Sequence, residues 1–212
     1  VSEVPRLEFD GIVVRPYEPS DEEGWVRCRV LSFLKTPYFD NVEREKERYV
    51  RPAIELVAVS DGHVVGLLDV ECEDVPGEVC SPHPACSGPA GMIWHLAVHP
   101  DWQGRGIGSA LLRRAVREAR SRGLERLEAW TRDDSTVQRW YERQGFELMD
   151  AYWHVYITER AEVRRIAHGD LPDIRPVAVF AHSMGVDPAV LGRFERVHRC
   201  HRYDLVLRNA LS

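Results

Sequence analysis

Apolar residues along the chain keep two rhythms, every second position and every third or fourth, and the switches between them mark out the elements. Gly11 to Tyr17 is rich in β-branched residues and ends in Arg-Pro-Tyr, which predicts a first strand closing into a turn. Pro19-Ser20-Asp21 offers capping residues before a helix over Glu22 to Leu34, in which Trp25, Cys28, Val30 or Leu31 and Leu34 fall at helical spacing. A second, charged helix is expected over Val42 to Val50, with Pro52 marking its end. Ile54 to Val59 and His63 to Glu71 are apolar runs separated by Ser60-Asp61-Gly62, a hairpin signal.

The stretch from Cys72 to Gly91 is rich in Pro, Gly and Cys and reads as a long loop. Met92 to Val98 is a short apolar strand stopped by Pro100. Ile107 to Arg122 is a strongly periodic helix whose Leu111, Leu112, Ala115, Val116 and Ala119 form one face, and Gly123 ends it. A strand over Leu124 to Thr131, a short helix over Thr136 to Arg143 ended by Gly145, and an aromatic-rich strand over Phe146 to Ile157 follow. From Thr158 to Arg199 the pattern weakens, leaving a helix over Pro188 to Val197 and a last strand over Tyr203 to Leu207. This order predicts an α/β fold with a mixed sheet of about seven strands, helices on its faces and a long insertion before the last strand. No internal repeat or low-complexity run interrupts it.

Composition changes that picture little. The 212 residues suffice for one domain, read as a single unit over 1–212 with its core at about 11–158 and an extension over 159–212 that supplies the last strand. A net charge of -6 argues against nucleic acid as a partner, since that grip needs a basic surface. No apolar run reaches the length of a membrane span, and Val1 to Asp10 has neither a basic flank nor an apolar core, so neither a membrane partner nor a secretory leader is expected. Five scattered cysteines fit reduced thiols and a cytoplasmic location better than a disulfide framework.

The chemistry concentrates at Gln103-Gly104-Arg105-Gly106-Ile107-Gly108, between the strand ending at Val98 and the long helix. Three glycines in five residues let the backbone approach a ligand, and the helix N-terminus turns free N–H groups toward it, an arrangement suited to a pyrophosphate. Arg105 can add a charge-assisted contact. Dinucleotide folds and P-loops use the same physics, but the Gly-Lys-Ser/Thr of a P-loop is missing and Gly104 to Ser109 does not give Gly-x-Gly-x-x-Gly. A tight turn with no ligand is the plain alternative.

The run His95-Leu96-Ala97-Val98-His99-Pro100-Asp101-Trp102, the glycine loop after it, and Trp140-Tyr141-Glu142-Arg143-Gln144-Gly145-Phe146 together resemble the GNAT (GCN5-related) acetyltransferase superfamily, over at least Ile12 to Ile157. Ile93 to Val98, Glu128 to Asp134 and His154 to Tyr156 resemble a bacterial subgroup of it, which implies no particular acceptor. The resemblance implies acetyl-CoA as co-substrate and a strand that splays open after the Leu-Ala-Val segment. Leu96, Ala97 and Val98 would pair with the pantetheine arm, and Gln103, Gly104, Arg105, Gly106, Ile107, Gly108 and Ser109 would hold the pyrophosphate. It implies transfer to a primary amine of a small molecule or peptide, and leaves a homodimer open.

Such a transfer needs a neutral amine, stabilisation of the carbonyl oxygen and an acid for the departing thiolate. Tyr141 stands where the family places its Tyr acid; a ring packed in the core is the competing reading. Many relatives carry an Asn seven residues earlier that touches the cofactor; here Asp134 and Ser135 stand there, Asp134 as coenzyme contact or helix cap. The family's usual strand base is missing, since Met92 and Trp94 occupy its positions, and by alternation His95 should point away from Trp94. Glu71, then Asp69, are the remaining carboxylates, with pairing to an Arg as the competing reading. That gap also keeps open a silent acetyl-CoA sensor. Cys80, His83 and Cys86, with Cys72 or Cys200 and His201, have zinc-like ligand types, but Pro82 and Pro84 flank the His and no paired Cys-x-x-Cys exists, so no metal is assigned.

Overall fold

The structure, a computed structural model, describes residues 7–167 and 175–209. The two ends of the expected 1–212 unit, and residues 168–174 of the weakly patterned stretch, lie outside the described residues. In chain order the strands are β1 (Leu7–Phe9), β2 (Ile12–Pro16), β3 (Ala53–Ser60), β4 (His63–Cys72), β5 (Ala90–Val98), β6 (Arg126–Thr131), β7 (Glu147–Ile157), β8 (Val179–Ser183) and β9 (Arg196–Val206). The helices are α1 (Glu22–Phe33), α2 (Ile107–Ser121), α3 (Ser135–Arg143), α4 (Arg160–Ile166) and α5 (Pro188–Leu191).

Among the described residues nine strands join one sheet in the order β1-β2-β3-β4-β5-β6-β9-β7-β8, with β5 and β6 parallel and the other neighbours antiparallel. The mixed α/β architecture is the expected one, with two strands more, β1 and β8, than the sequence pattern predicts. β4 is an interior strand between α1 on one face and α2 on the other, and every residue of it after His63 is buried. That double cover explains why its sequence reads as a near-continuous apolar run rather than an alternation.

α2 presses Ile107, Ala110, Leu111, Ala115 and Ala119 into the main core, which is the periodic face the sequence predicts. α1 buries Trp25, Cys28, Arg29 and Ser32 instead of a wholly apolar stripe, and Leu34 is exposed. Two glycines permit the close approach of the helices to the sheet. A Cβ on Gly24 would lie 2.8 Å from Val64 Cγ2, and one on Gly66 would lie 2.7 Å from Ile107 Cγ2.

Three expectations need correction. The charged helix over Val42 to Val50 is irregular chain, because Val42 and Val50 are both exposed and the segment has no apolar face for a helix to bury. The helix from Pro188 stops at Leu191 and residues 196–206 are strand, since that segment pairs on both sides, with β6 and β7. α4 lies where no element is expected; its Val163 packs with Val155, Ile157 and Leu191 in a small core of its own. No helix among the described residues is long and apolar enough to cross a membrane.

Candidate active site

β5 and β6 pair only from Ala90↔Arg126 to Ile93↔Ala129, while β5 runs on to Val98. From Trp94 onward β5 is paired on one side alone, with β4. The divergence starts at a bulge: Ile93 faces Val70 and His95 faces Asp69, so Trp94 is the extra residue. Leu96, Ala97 and Val98 therefore offer backbone groups along a free edge, and the strands part at Trp94, before the Leu-Ala-Val segment rather than after it. The Gln103 side-chain Nε2 donates to the Val98 carbonyl at 3.2 Å and ties the glycine loop to the end of that edge.

Gly104 and Gly106 take left-handed conformations, φ +76° and +80°, that a side chain would strain. A Cβ at either would meet nothing within 4 Å, so the loop borders open space. Gly106 is the N-cap of α2 without a capping side chain, and no acidic residue lies in the first turn. The amides of Ile107, Gly108 and Ser109 thus face outward with the positive end of a 15-residue helix behind them. Arg105 is exposed, stacked over the Trp102 ring at 4.5 Å and donating to the Asp101 carbonyl. The loop and the free edge meet at Val98, a geometry suited to a diphosphate joined to an extended arm.

α3 runs beside this cleft. Asp134 caps it, accepting from the amides of Thr136 at 2.8 Å and Val137 at 3.2 Å, while Ser135 stays exposed. Tyr141 is buried, stacked on Tyr203 with centroids 5.5 Å apart and set edge-on to Trp140 and Phe146. No hydrogen-bond partner of its hydroxyl is found among the described residues, and the side chain is almost wholly enclosed. Burial, reinforced by the nearby Tyr38, pushes its pKa up and keeps the proton on. Tyr38 itself accepts from the Arg132 amide at 2.7 Å, just beyond the end of β6, a link the sequence pattern does not signal.

On the α1 face of the sheet, Glu71 accepts from the Trp94 indole at 2.9 Å and from the Arg51 amide at 3.4 Å, with the Arg51 guanidinium 3.8 Å away. It is a held carboxylate, paired with an Arg as the competing reading has it. Asp69 is fully buried, 2.9 Å from Lys46 Nζ and accepting from the Tyr49 hydroxyl at 3.0 Å. Burial works against the Lys46 ammonium, but Asp69 and Glu55 more than offset it, so its pKa is raised.

His95 does not point away from Trp94. Trp94 bonds Glu71, and His95 packs its ring edge-on to Trp25 of α1, on the face that Glu71 shares with Asp69. The bulge cancels the alternation that predicts opposite faces. Arg29 Nε donates to His95 Nδ1 at 3.3 Å, which leaves the proton on Nε2 to donate to Glu47 at 2.9 Å.

The 73–89 loop is organised rather than floppy. One Glu73 oxygen accepts from the amides of Gly77, Val79 and Cys80, and the other from Ala90. Cys80 is buried and its thiol pKa is raised by that burial. His83 pairs with Cys86 in an isolated bridge, and the His83 ring accepts from the Ala85 amide. Among the described residues no group of three His, Cys, Asp or Glu is arranged to hold a metal ion.

Comparison with known proteins gives a consistent result. Residues 21–146 match the model described as the acetyltransferase (GNAT) family. The chain is 33% identical over 144 residues to a mycothiol acetyltransferase of Cellulomonas flavigena, covering 64% of this chain and 40% of that protein, so it spans less than half the length of that relative. It is 31% identical over 142 residues to an acetyltransferase of Pectobacterium atrosepticum, covering 65% of this chain and 89% of that protein. Among solved structures, an N-acetyltransferase from Staphylococcus aureus Mu50 superposes with a TM-score of 0.53 at 13% identity, covering 92% of this chain and 98% of that one. Arabidopsis thaliana NAA60 in complex with a bisubstrate analogue gives 0.55 at 15% identity, with 92% and 97% covered. At these identities the structural likeness is one of fold.

Proposed function

Because the chain belongs to the GNAT acetyltransferase family, we propose that it transfers the acetyl group of acetyl-CoA to a primary amine of a small molecule or peptide, with Tyr141 as general acid. The observation that carries this reading is the free edge of β5 from Trp94 to Val98 running into the uncapped N-terminus of α2. In it, Leu96, Ala97 and Val98 pair with the pantetheine arm, and the amides from Gln103 to Ser109, with Arg105, hold the pyrophosphate. Asp134 is occupied as a helix cap, so of that pair the exposed Ser135 hydroxyl is the one left to meet the coenzyme.

The neutral amine attacks the thioester carbonyl carbon, its surplus proton leaves to a carboxylate or water, and the C–S bond breaks once the C–N bond has formed. The Tyr141 phenol protonates the departing sulfur; its burial and raised pKa favour a group that holds its proton until that charge develops. Glu71 is the first carboxylate to consider for the amine proton, although Trp94 and Arg51 already engage it.

The test is thioester cleavage against a panel of amines, amino acids, aminoglycosides and peptides, comparing wild type with Tyr141→Phe. Acceptor-dependent release should fall about 10²–10⁴-fold in the variant with acetyl-CoA binding retained. Binding without turnover on the whole panel would favour a silent coenzyme sensor, a reading that the missing strand carboxylate at Met92 and Trp94 supports. Absence of acetyl-CoA binding would defeat both.

A further inference from the structure

From Asn41 to Val50 the chain crosses the α1 face as irregular backbone, and in that run only Lys46 is buried and only Tyr49 half-buried. A long, costly side chain has been drawn inward from a solvated segment, and what it meets is specific. Lys46 Nζ lies 2.9 Å from Asp69 Oδ2 on β4, contacts Glu55 Oε1 on β3 and donates to the Glu47 carbonyl at 3.2 Å. The rings of Tyr49, Tyr17 and Trp25 surround it at 4.9, 5.0 and 5.3 Å from their centroids. Aromatic faces closing around a cation beside carboxylates are the means by which proteins recognise organic ammonium groups.

Two further observations bear on what the cage is for. Asp69 Oδ1 is sealed from solvent and has no donor among the described residues, an expensive omission for a buried carboxylate. The tethered Lys46 gives its third N–H to the Glu47 carbonyl of its own segment, whereas a free primary ammonium would have that donor available for Asp69. The cage also lies beside the reaction cleft: Asp69 is the register partner of His95, next to the Trp94 bulge where β5 leaves β6.

We propose that the walls of this cage outside the segment, Asp69, Glu55, Tyr17 and Trp25, form the acceptor site for a primary alkylammonium, and that Lys46 is its resident occupant, displaced together with Tyr49 as residues 41–51 lift from the α1 face. The inference rests on the amine-acetylating activity proposed above and adds the site at which the acceptor binds as its ammonium, which gives up its proton to a carboxylate or water before the neutral amine attacks the thioester. Lifting the segment breaks the Arg29 bond to the Asn41 carbonyl at 2.8 Å, the Lys46 amide bond to Glu22 at 3.2 Å, the Tyr49 hydroxyl bond to Asp69 at 3.0 Å and the Arg51 contacts with Glu71, and its remaining ion pairs are of a kind that can open. Glu43 to Arg29 at 3.9 Å, Glu47 to His95 at 2.9 Å and Arg51 to Glu78 at 3.0 Å each have an acidic partner at least two-fifths exposed.

The test uses wild-type protein without acetyl-CoA, n-butylammonium as probe, and a Glu-specific endoprotease directed at the exposed Glu43, Glu45 and Glu47. The amine should raise cleavage in this segment saturably, by about tenfold, with matched sodium chloride having no effect. The same response should be lost in Asp69→Asn. In a second arm, Lys46→Ala should gain a saturable rise in Tm with n-butylammonium that exceeds that of wild type. Cleavage indifferent to the amine in wild type, or a Lys46→Ala protein that responds no differently from its sodium chloride control, overturns the proposal. Neither arm involves acetyl-CoA, so failure of the ammonium site and failure of the acetyltransferase reading are seen separately.

Discussion

His154 is enclosed on every side: its ring stacks on His182 with centroids 4.7 Å apart, one nitrogen lies 3.1 Å from the Tyr152 hydroxyl, and the other lies 3.3 Å from Cys200 Sγ. Burial first, then the positive charge of Arg132 and the neighbouring His182 and His198, lowers its pKa from 6.5 to about 4. Burial likewise pushes the Cys200 thiol up to about 11, so the pair is thiol and imidazole rather than thiolate and imidazolium, and no nucleophile is made there. Between pH 6.5 and about 4 the unfolded chain binds a proton at this position that the folded chain does not. The contribution of His154 is therefore fully present above pH 6.5 and is lost as pH falls toward about 4. Tm should drop on going from about pH 7 to about pH 5, and His154→Phe should shrink that drop without abolishing it, since burial also lowers the pKa of His201. An equal drop in both proteins would show that the depressed imidazole is not the source. Single residues of this kind divide cleanly by legibility. Asp134 as a cap was readable because capping is local. The orientation of His95 and the burial of Lys46 were not, because a bulge and a cage depend on strands distant in sequence.

At the scale of elements, the position of α2 against β4 sets the geometry of the proposed coenzyme site. Gly66 lies under the first turn of α2, where an added Cβ would meet Ile107 at 2.7 Å, Leu111 at 3.1 Å and Ala58 at 3.3 Å. Gly66→Ala should cost about 1–3 kcal/mol through overpacking and push the helix N-terminus, with its outward amides, away from the sheet. Gly91 is the matched control, because its Cβ would meet Val70 at 2.6 Å and Leu127 at 3.1 Å, at the end of β5 remote from the glycine loop. Both variants should lose stability, but only Gly66→Ala should lose affinity for acetyl-CoA, as read by calorimetric titration. Equal losses of affinity would mean that helix position is not what fixes the loop. α2 itself was plain in the sequence, since fifteen residues with a continuous apolar face leave little choice. The segment from Val42 to Val50 was misleading for the opposite reason: alternating Glu, Arg and Lys have good helix propensity, but nothing apolar faces inward to hold a helix in place.

Across the whole molecule, the feature furthest from sequence reasoning is the insertion of β9 between β6 and β7, because long-range pairing leaves no local mark. What secures it is a buried network of charges. Asp204 of β9 lies 2.8 Å from both Arg126 of β6 and Arg202, and Glu128 lies 2.9 Å from Arg126 and 3.2 Å from Arg202. The same four groups reach the 73–89 loop: the Ser81 amide and hydroxyl bind Glu128, and Arg202 binds the Pro82 carbonyl at 3.1 Å. Removing one carboxylate leaves arginines buried and undercompensated, so Asp204→Ala should cost about 3–5 kcal/mol. For a chain of this length that corresponds to a fall in Tm of about 6–20 °C. Because the network holds the loop as well as the strand, amide exchange over residues 73–89 should speed up together with that over β9. If the loop stayed protected while β9 loosened, Glu73 and its ring of four amides would be sufficient to hold it. The charged network would then act on the sheet alone, and the loop, packed through Val79 and Cys80 against Met92 and Trp130, would have to be treated as an independently held unit.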